Sequence, residues 1–139
     1  MQLEEVFTVH VKIEKTIELS NNDGDSVVMI SFSGNVKGKY FEGTVLEGGI
    51  DTQIIGKCEG QHTLSARYML QGRDSNGQDC EIYIENNGTF NKNLKGALFR
   101  TYPKIITNSK QLSFLNNDIL VGEGIPSDTG VDIKIFRAI

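Results

Sequence analysis

The 139 residues carry 14 Lys+Arg against 18 Asp+Glu, a formal net charge of −4, with 38% apolar residues, 15 glycines, two prolines and no tryptophan. A chain of this size folds as one domain, residues 1–139, that buries about two-thirds of its unfolded surface, and the composition excludes collagen-like and low-complexity chains. The mild acidity, with no basic cluster interleaved with aromatics, argues against a nucleic-acid partner.

The start, Met1-Gln2-Leu3-Glu4-Glu5, lacks a basic segment followed by an apolar run, and no stretch approaches ~18 consecutive apolar residues. The expectation is a soluble, cytoplasmic protein without a membrane partner. Cys58 and Cys80 stand 22 positions apart and read as two reduced thiols. His10 and His62 are the only histidines, and neither lies at ligand spacing from a cysteine or from the other, so no metal site and no other cofactor is expected.

In chain order, Phe7, Val9, Val11, Ile13, Ile17 and Leu19 fall on odd positions and Thr8, His10, Lys12, Glu14, Thr16 and Glu18 on even ones. A period of two predicts a long strand with one dry and one wet face. A polar turn over 20–26 follows, then a strand over 27–32. Gly34, Gly38, Gly43, Gly48 and Gly49 come next within sixteen residues, a density that suits bends, bulges and close backbone approach in a tightly curved sheet. No phosphate-loop pattern is present. Residues 50–56 read as a short strand. Leu64, Ala66, Tyr68 and Leu70 alternate with Ser65, Arg67, Met69 and Gln71, which places Tyr68 on the dry face. The turn Gly72-Arg73-Asp74-Ser75-Asn76-Gly77 predicts a hairpin into a strand over 79–87, in which Cys80, Ile82 and Ile84 share a face. Asn86-Asn87-Gly88 reads as a turn leading to a polar segment with one helical turn before Gly96. Residues 98–107 form another strand, with Pro103 marking an edge or bulge. A connection over 109–117 and strands over 119–124 and 131–138 complete the chain.

About nine strands, near-regular turns and no helix of three turns predict an all-β fold. A small antiparallel up-and-down β-barrel of about eight to ten strands is the favoured form, with a sandwich as the alternative. The charged wet face of the first strand, with His10, Lys12, Glu14 and Glu18, belongs in water and not in lipid.

The segments Phe41-Glu42-Gly43-Thr44-Val45-Leu46-Glu47-Gly48-Gly49-Ile50-Asp51, Leu64-Ser65-Ala66-Arg67-Tyr68, Ile82-Tyr83-Ile84-Glu85-Asn86-Asn87-Gly88, Phe99-Arg100-Thr101-Tyr102-Pro103, Leu115-Asn116 and Leu120-Val121-Gly122-Glu123-Gly124 together resemble, in order over nearly the whole chain, uncharacterised protein family 0311, also labelled domain of unknown function 3237. The resemblance implies a small bacterial β-barrel protein with no general activity assigned. This chain departs from the family's usual pattern at Thr52, Ile105-Ile106-Thr107 and Phe114, where tryptophans and an aromatic-Glu-Thr often stand, so its ligand preference is expected to differ.

Asp51, after a double glycine, reads either as a general base or ligand acceptor or as a turn aspartate. Tyr68 presents an interior phenol that wants a partner. Arg100 shares parity with Leu98 and Tyr102. If that face is internal, its guanidinium must pair with Asp51, Glu123 or a ligand carboxylate. Asp51 and Tyr68 are therefore the candidate catalytic residues, and Arg100, Tyr102 and Asn116 the candidate ligand-binding ones, Asn116 on the resemblance. His10 reads as solvated, Arg67 as exterior and Tyr83 as solvent-side. Three functions stay open: a barrel binding a small, partly apolar molecule; a cofactor-independent cyclase, isomerase or lyase using Asp51 and Tyr68; and a filled structural barrel. A homodimer is a further expectation.

Overall fold

The computed structural model describes residues 2–58 and 60–139. Among the described residues nine strands run β1 (Leu3–Leu19), β2 (Ser26–Lys37), β3 (Phe41–Val45), β4 (Ile50–Ile55), β5 (His62–Asp74), β6 (Asp79–Phe90), β7 (Phe99–Thr107), β8 (Leu120–Pro126) and β9 (Gly130–Ala138), with one 3-10 turn at Ser113–Asn116. No α-helix is present among the described residues, and none is long and apolar enough to cross a membrane. Every pairing is antiparallel, and β1 bonds both β2 and β9. The sheet therefore closes on itself as a barrel.

The barrel has one interrupted stave. β3 and β4 both pair with β2 on one side and β5 on the other, so they lie end to end in the same place. Between Val45 and Asp51 the chain takes six steps where β5 takes four, from Leu70 to Ala66. The excess forms the loop over 46–49. Gly48 holds φ +107°, a left-handed value that a side chain resists, and a Cβ on Gly49 would fall 2.7 Å from Tyr68 Cβ. Because the excess is an even number of residues, Asp51 keeps the inward parity of Val45.

Alternation fills the interior as the sequence predicts for Val9, Val11, Leu64, Tyr68, Leu70, Ile82 and Ile84, all buried. One end is solid: Phe7, Phe41, Leu70, Ile82, Ile105, Leu112 and Leu115 are fully buried there, with the 3-10 turn supplying Leu115 as part of a plug. At roughly 2–3 kcal/mol per large side chain, this end supplies much of the hydrophobic stabilisation.

Some expectations change. The first strand is not dry along its whole odd face. A register irregularity between Ile13 and Lys15 turns the pattern over, so Ile17 and Leu19 lie outside, 62% and 58% exposed. Residues 89–96 contain no helical turn; β6 runs on to Phe90 and turns follow. Asn86 lies within β6, opposite Ala66 and Pro103, not in a turn. Pro103 stands just beyond Thr101, the last β7 residue paired to β8, where a missing N–H breaks no ladder on that side. His10 is outside but not simply solvated: its Nδ1 lies 2.9 Å from Asp132 Oδ1. Cys58 is exposed and Cys80 buried, both free.

Candidate functional site

The end of the barrel away from the plug is hollow. A cavity of about 260 Å³ lies among Val11, Phe32, Leu64, Phe90, Phe99 and Val131, with Ile13, Leu98 and Gly130 at its margin. Phe99 lies flat against β8 because position 124 is glycine; a Cβ there would fall 2.1 Å from the Phe99 ring. The walls are almost wholly hydrocarbon. Asp51, Gln53 and Asn86 supply the polar groups.

Register explains their convergence. Ile30, Asp51, Ala66, Asn86 and Pro103 form one continuous row across five strands. Partners in a row point to the same face, so Asp51 and Asn86 both enter the lumen on either side of Ala66. Their Cα atoms stand two strand spacings apart, roughly 9–10 Å. Alanine between them is the small floor that leaves the space open.

The polar pole is only partly satisfied. Gln53 Nε2 donates to Asp51 Oδ2 at 2.8 Å, and His62 Nε2 lies 2.9 Å from Gln53 Oε1. An ionised Asp51 only accepts, so Gln53 turns its N–H inward and its oxygen toward His62, which places the imidazole proton on Nε2. His62 stacks on Phe90 with ring centroids 3.7 Å apart and planes at 10°. Asp51 Oδ1 is buried with no partner, and so are both Nδ2 and Oδ1 of Asn86, a residue with 0% exposure. Buried amides and carboxylates in native proteins rarely go unpaired.

Burial pushes the Asp51 carboxyl above its ordinary value, against the Gln53 hydrogen bond and the nearby His62. Burial likewise lowers His62, while Asp51 acts the other way. Burial, with Asp51 adding to it, raises the Tyr68 phenol far above its usual range.

The candidate residues of the sequence separate into two groups. Asp51 lines the cavity. Tyr68 points inward and is buried, its hydroxyl unpartnered, but its ring packs edge-on against Phe32 at 5.2 Å and lies behind the cavity wall. The other three lie elsewhere. Arg100 is exposed and ion-paired to Glu123 at 3.4 Å, and Tyr102 is 69% exposed. On β7 the odd residues Phe99, Thr101, Pro103 and Ile105 face inward instead. Tyr102 and Leu98 look like core residues in sequence, and that resemblance reverses the parity. Asn116 is exposed, and its Oδ1 accepts the Thr107 N–H at 3.0 Å, tying the 3-10 turn to the end of β7. Asn86, Gln53 and His62 were not legible as a set. The available signal for Asn86 was parity: it continues the inward series Cys80, Ile82, Ile84 by one step.

The arrangement is an apolar, ring-lined chamber with one carboxylate oxygen and one carboxamide free to meet a guest. Among the described residues no group of three or more His, Cys, Asp or Glu side chains gathers as a metal site.

Comparisons with known proteins agree with the barrel. A protein of family 0311 from Clostridium acetobutylicum is 36% identical over 140 residues, covering 87% of this chain and 84% of its own. A crystal structure of a protein with unknown function from the same organism superposes with a TM-score of 0.80 at 31% identity, covering 99% of this chain and 96% of that one. An enzyme from Penicillium herquei shares the fold at a TM-score of 0.71 and 17% identity, over 98% of this chain and 92% of that one. The model of the family described as protein of unknown function DUF3237 matches residues 1–138, and the chain belongs to that family.

Proposed function

We propose that this barrel binds a small, mainly apolar molecule in the hollow end of its lumen and orients it through Asp51 and Asn86. The observation that carries this reading is Asn86, a fully buried carboxamide facing a cavity with neither of its polar atoms bonded. Leaving such a group unpaired costs about 1–3 kcal/mol. A chain that needed only a solid core would be more stable with an aliphatic residue there. The volume supports the reading, since apolar cavities of ~150 Å³ already admit benzene, and about 260 Å³ accommodates a bicyclic guest. A lumen filled by its own side chains accounts for the plugged end but not for the hollow one.

The test is native mass spectrometry of the purified protein, followed by extraction and identification of any co-purified small molecule. A stoichiometric guest that Asn86→Leu and Ala66→Leu both lose supports the reading. A guest-free protein whose melting temperature responds to no apolar compound refutes it.

One observation favours a catalytic version. Asp51 combines a raised carboxyl with a free oxygen facing an apolar cavity, the environment of a general base in cofactor-independent isomerases, cyclases and lyases. In that version Asp51 takes the proton and an Asn86 N–H steadies charge developing on a substrate oxygen, with Tyr68 supporting from behind Phe32. The Penicillium herquei protein is described as an enzyme; at its level of identity the shared feature is the fold. Asp51→Asn would abolish turnover and spare affinity. Full turnover in that variant would remove Asp51 from the chemistry.

A further inference from the structure

We infer that the cavity takes an uncharged guest whose polar group both donates and accepts a hydrogen bond, an alcohol, phenol or enol on a hydrocarbon body, and that it discriminates against carboxylates and ammonium ions. This deepens the binding reading above and rests on it.

Three unpartnered buried atoms set the demand: Asp51 Oδ1, Asn86 Oδ1 and Asn86 Nδ2. Both residues line the same cavity. The carboxylate only accepts, and the carboxamide brings one acceptor oxygen and one donor nitrogen. The third polar residue of the lining, Gln53, is already held between Asp51 and His62. A hydroxyl serves both kinds of group from one atom, its O–H directed at one of the two acceptor oxygens and a lone pair accepting from Nδ2.

Charged guests fit worse. A carboxylate has no donor for Asp51 and sets a second negative charge beside it, and the lining contains no Lys or Arg to offset either. An ammonium satisfies the two acceptors but leaves Asn86 Nδ2 without an acceptor, and it gives up its hydration to walls that are mainly hydrocarbon, a cost that one carboxylate does not offset. The aromatic walls, Phe32, Phe90 and Phe99, receive the hydrocarbon body of a neutral guest without desolvating an ion.

The experiment titrates the full chain at neutral pH with four probes that share one bicyclic body: naphthol, naphthoate, naphthylmethylammonium and naphthalene. Affinities are read by calorimetry or ligand fluorescence. Naphthol is expected to bind about tenfold or more tightly than either ion, the equivalent of one hydrogen bond to a charged group. Asp51→Asn should narrow the gap between naphthol and naphthoate, and Asn86→Leu should bring naphthol part of the way down toward naphthalene by removing the Nδ2 donor. Circular dichroism checks that both variants fold, and Asn86→Ala serves for the same comparison if Asn86→Leu does not. Naphthoate or the ammonium binding as tightly as naphthol overturns the inference and leaves cavity binding standing. No binding by any of the four, naphthalene included, overturns both.

Discussion

Replacing Asn86 by leucine tests most directly whether the hollow end was kept for a guest. Leucine branches at Cγ as asparagine does and is larger, with the adjoining cavity to take the excess, and position 86 is fully buried between Ala66 and Pro103 in neighbouring strands. The change removes two polar atoms that have no partner in the lumen and adds methyl groups to a wall that already includes Leu64 and Phe99. Unpaired buried polar groups cost about 1–3 kcal/mol, so the guest-free variant should be more stable by about that amount. For a domain of this size each kcal/mol moves Tm by a few degrees. The expected rise is about 3–10 °C in calorimetry, accompanied by loss of hydroxyl-bearing guests. Stability gained with binding lost is the pattern of a site maintained against the interests of the core. A fall in Tm would refute the reasoning, because it would mean that the carboxamide is part of the fold's own hydrogen bonding.

Four further substitutions follow from the same geometry. Asp51→Asn should raise Tm at neutral pH. The folded state raises this carboxyl above its ordinary value of 3.8, so folding binds protons and stability falls as pH climbs from that value through the raised one; above it the penalty is constant. The advantage of the variant should therefore shrink in acid, and a pH-independent difference in urea midpoints would contradict it. Gly49→Ala places a Cβ 2.7 Å from Tyr68 Cβ and should cost about 1–3 kcal/mol; an unchanged urea midpoint would show that the loop over 46–49 yields freely. Arg100→Ala and Tyr102→Ala act on the outer surface and should change stability by less than about 0.5 kcal/mol each while leaving naphthol affinity as it was, and a large loss of affinity in either would return that residue to the site.

Legibility followed periodicity. Where a strand alternates without interruption, as over Leu64 to Leu70 and Cys80 to Ile84, the sequence alone indicates which side chains enter the core, and Tyr68 lies where that pattern puts it. Bulges break the inference. The irregularity after Ile13 sends Ile17 and Leu19 outward though they continue the apolar series by number, and no residue type between them announces it. On β7 two apolar side chains, Tyr102 and Ile106, occupy the outer face and Thr101 the inner one. Hydrophobicity therefore pointed the wrong way for Arg100. Asn86 failed for the opposite reason: turn chemistry in Asn86-Asn87-Gly88 outweighed the parity of the strand it continues. A polar residue in a lumen looks from sequence like the end of a strand, because the usual sign of an interior position is the apolar character that a binding site gives up.

The interrupted stave joins the fold to the site. Gly49, in the loop between β3 and β4, leaves room for the Tyr68 side chain and the Phe32 ring, which pack edge-on at 5.2 Å. Immediately beyond the break, the two-residue excess delivers Asp51 inward, one strand away from Ala66 and two from Asn86. An excess of one or three residues would have turned Asp51 and Gln53 to the outside and brought Thr52 into the lumen. The bulge is thus a feature with a specified length. It fixes the face on which the carboxylate enters. Strand bulges elsewhere recur beside ligand sites for this reason, since they re-aim side chains without opening the sheet. Here β2 and β5 flank the break and hold the register on both sides, so the carboxylate sits on a rigid wall and not on a mobile loop, which is the condition for selecting a guest by the hydrogen bonds it offers.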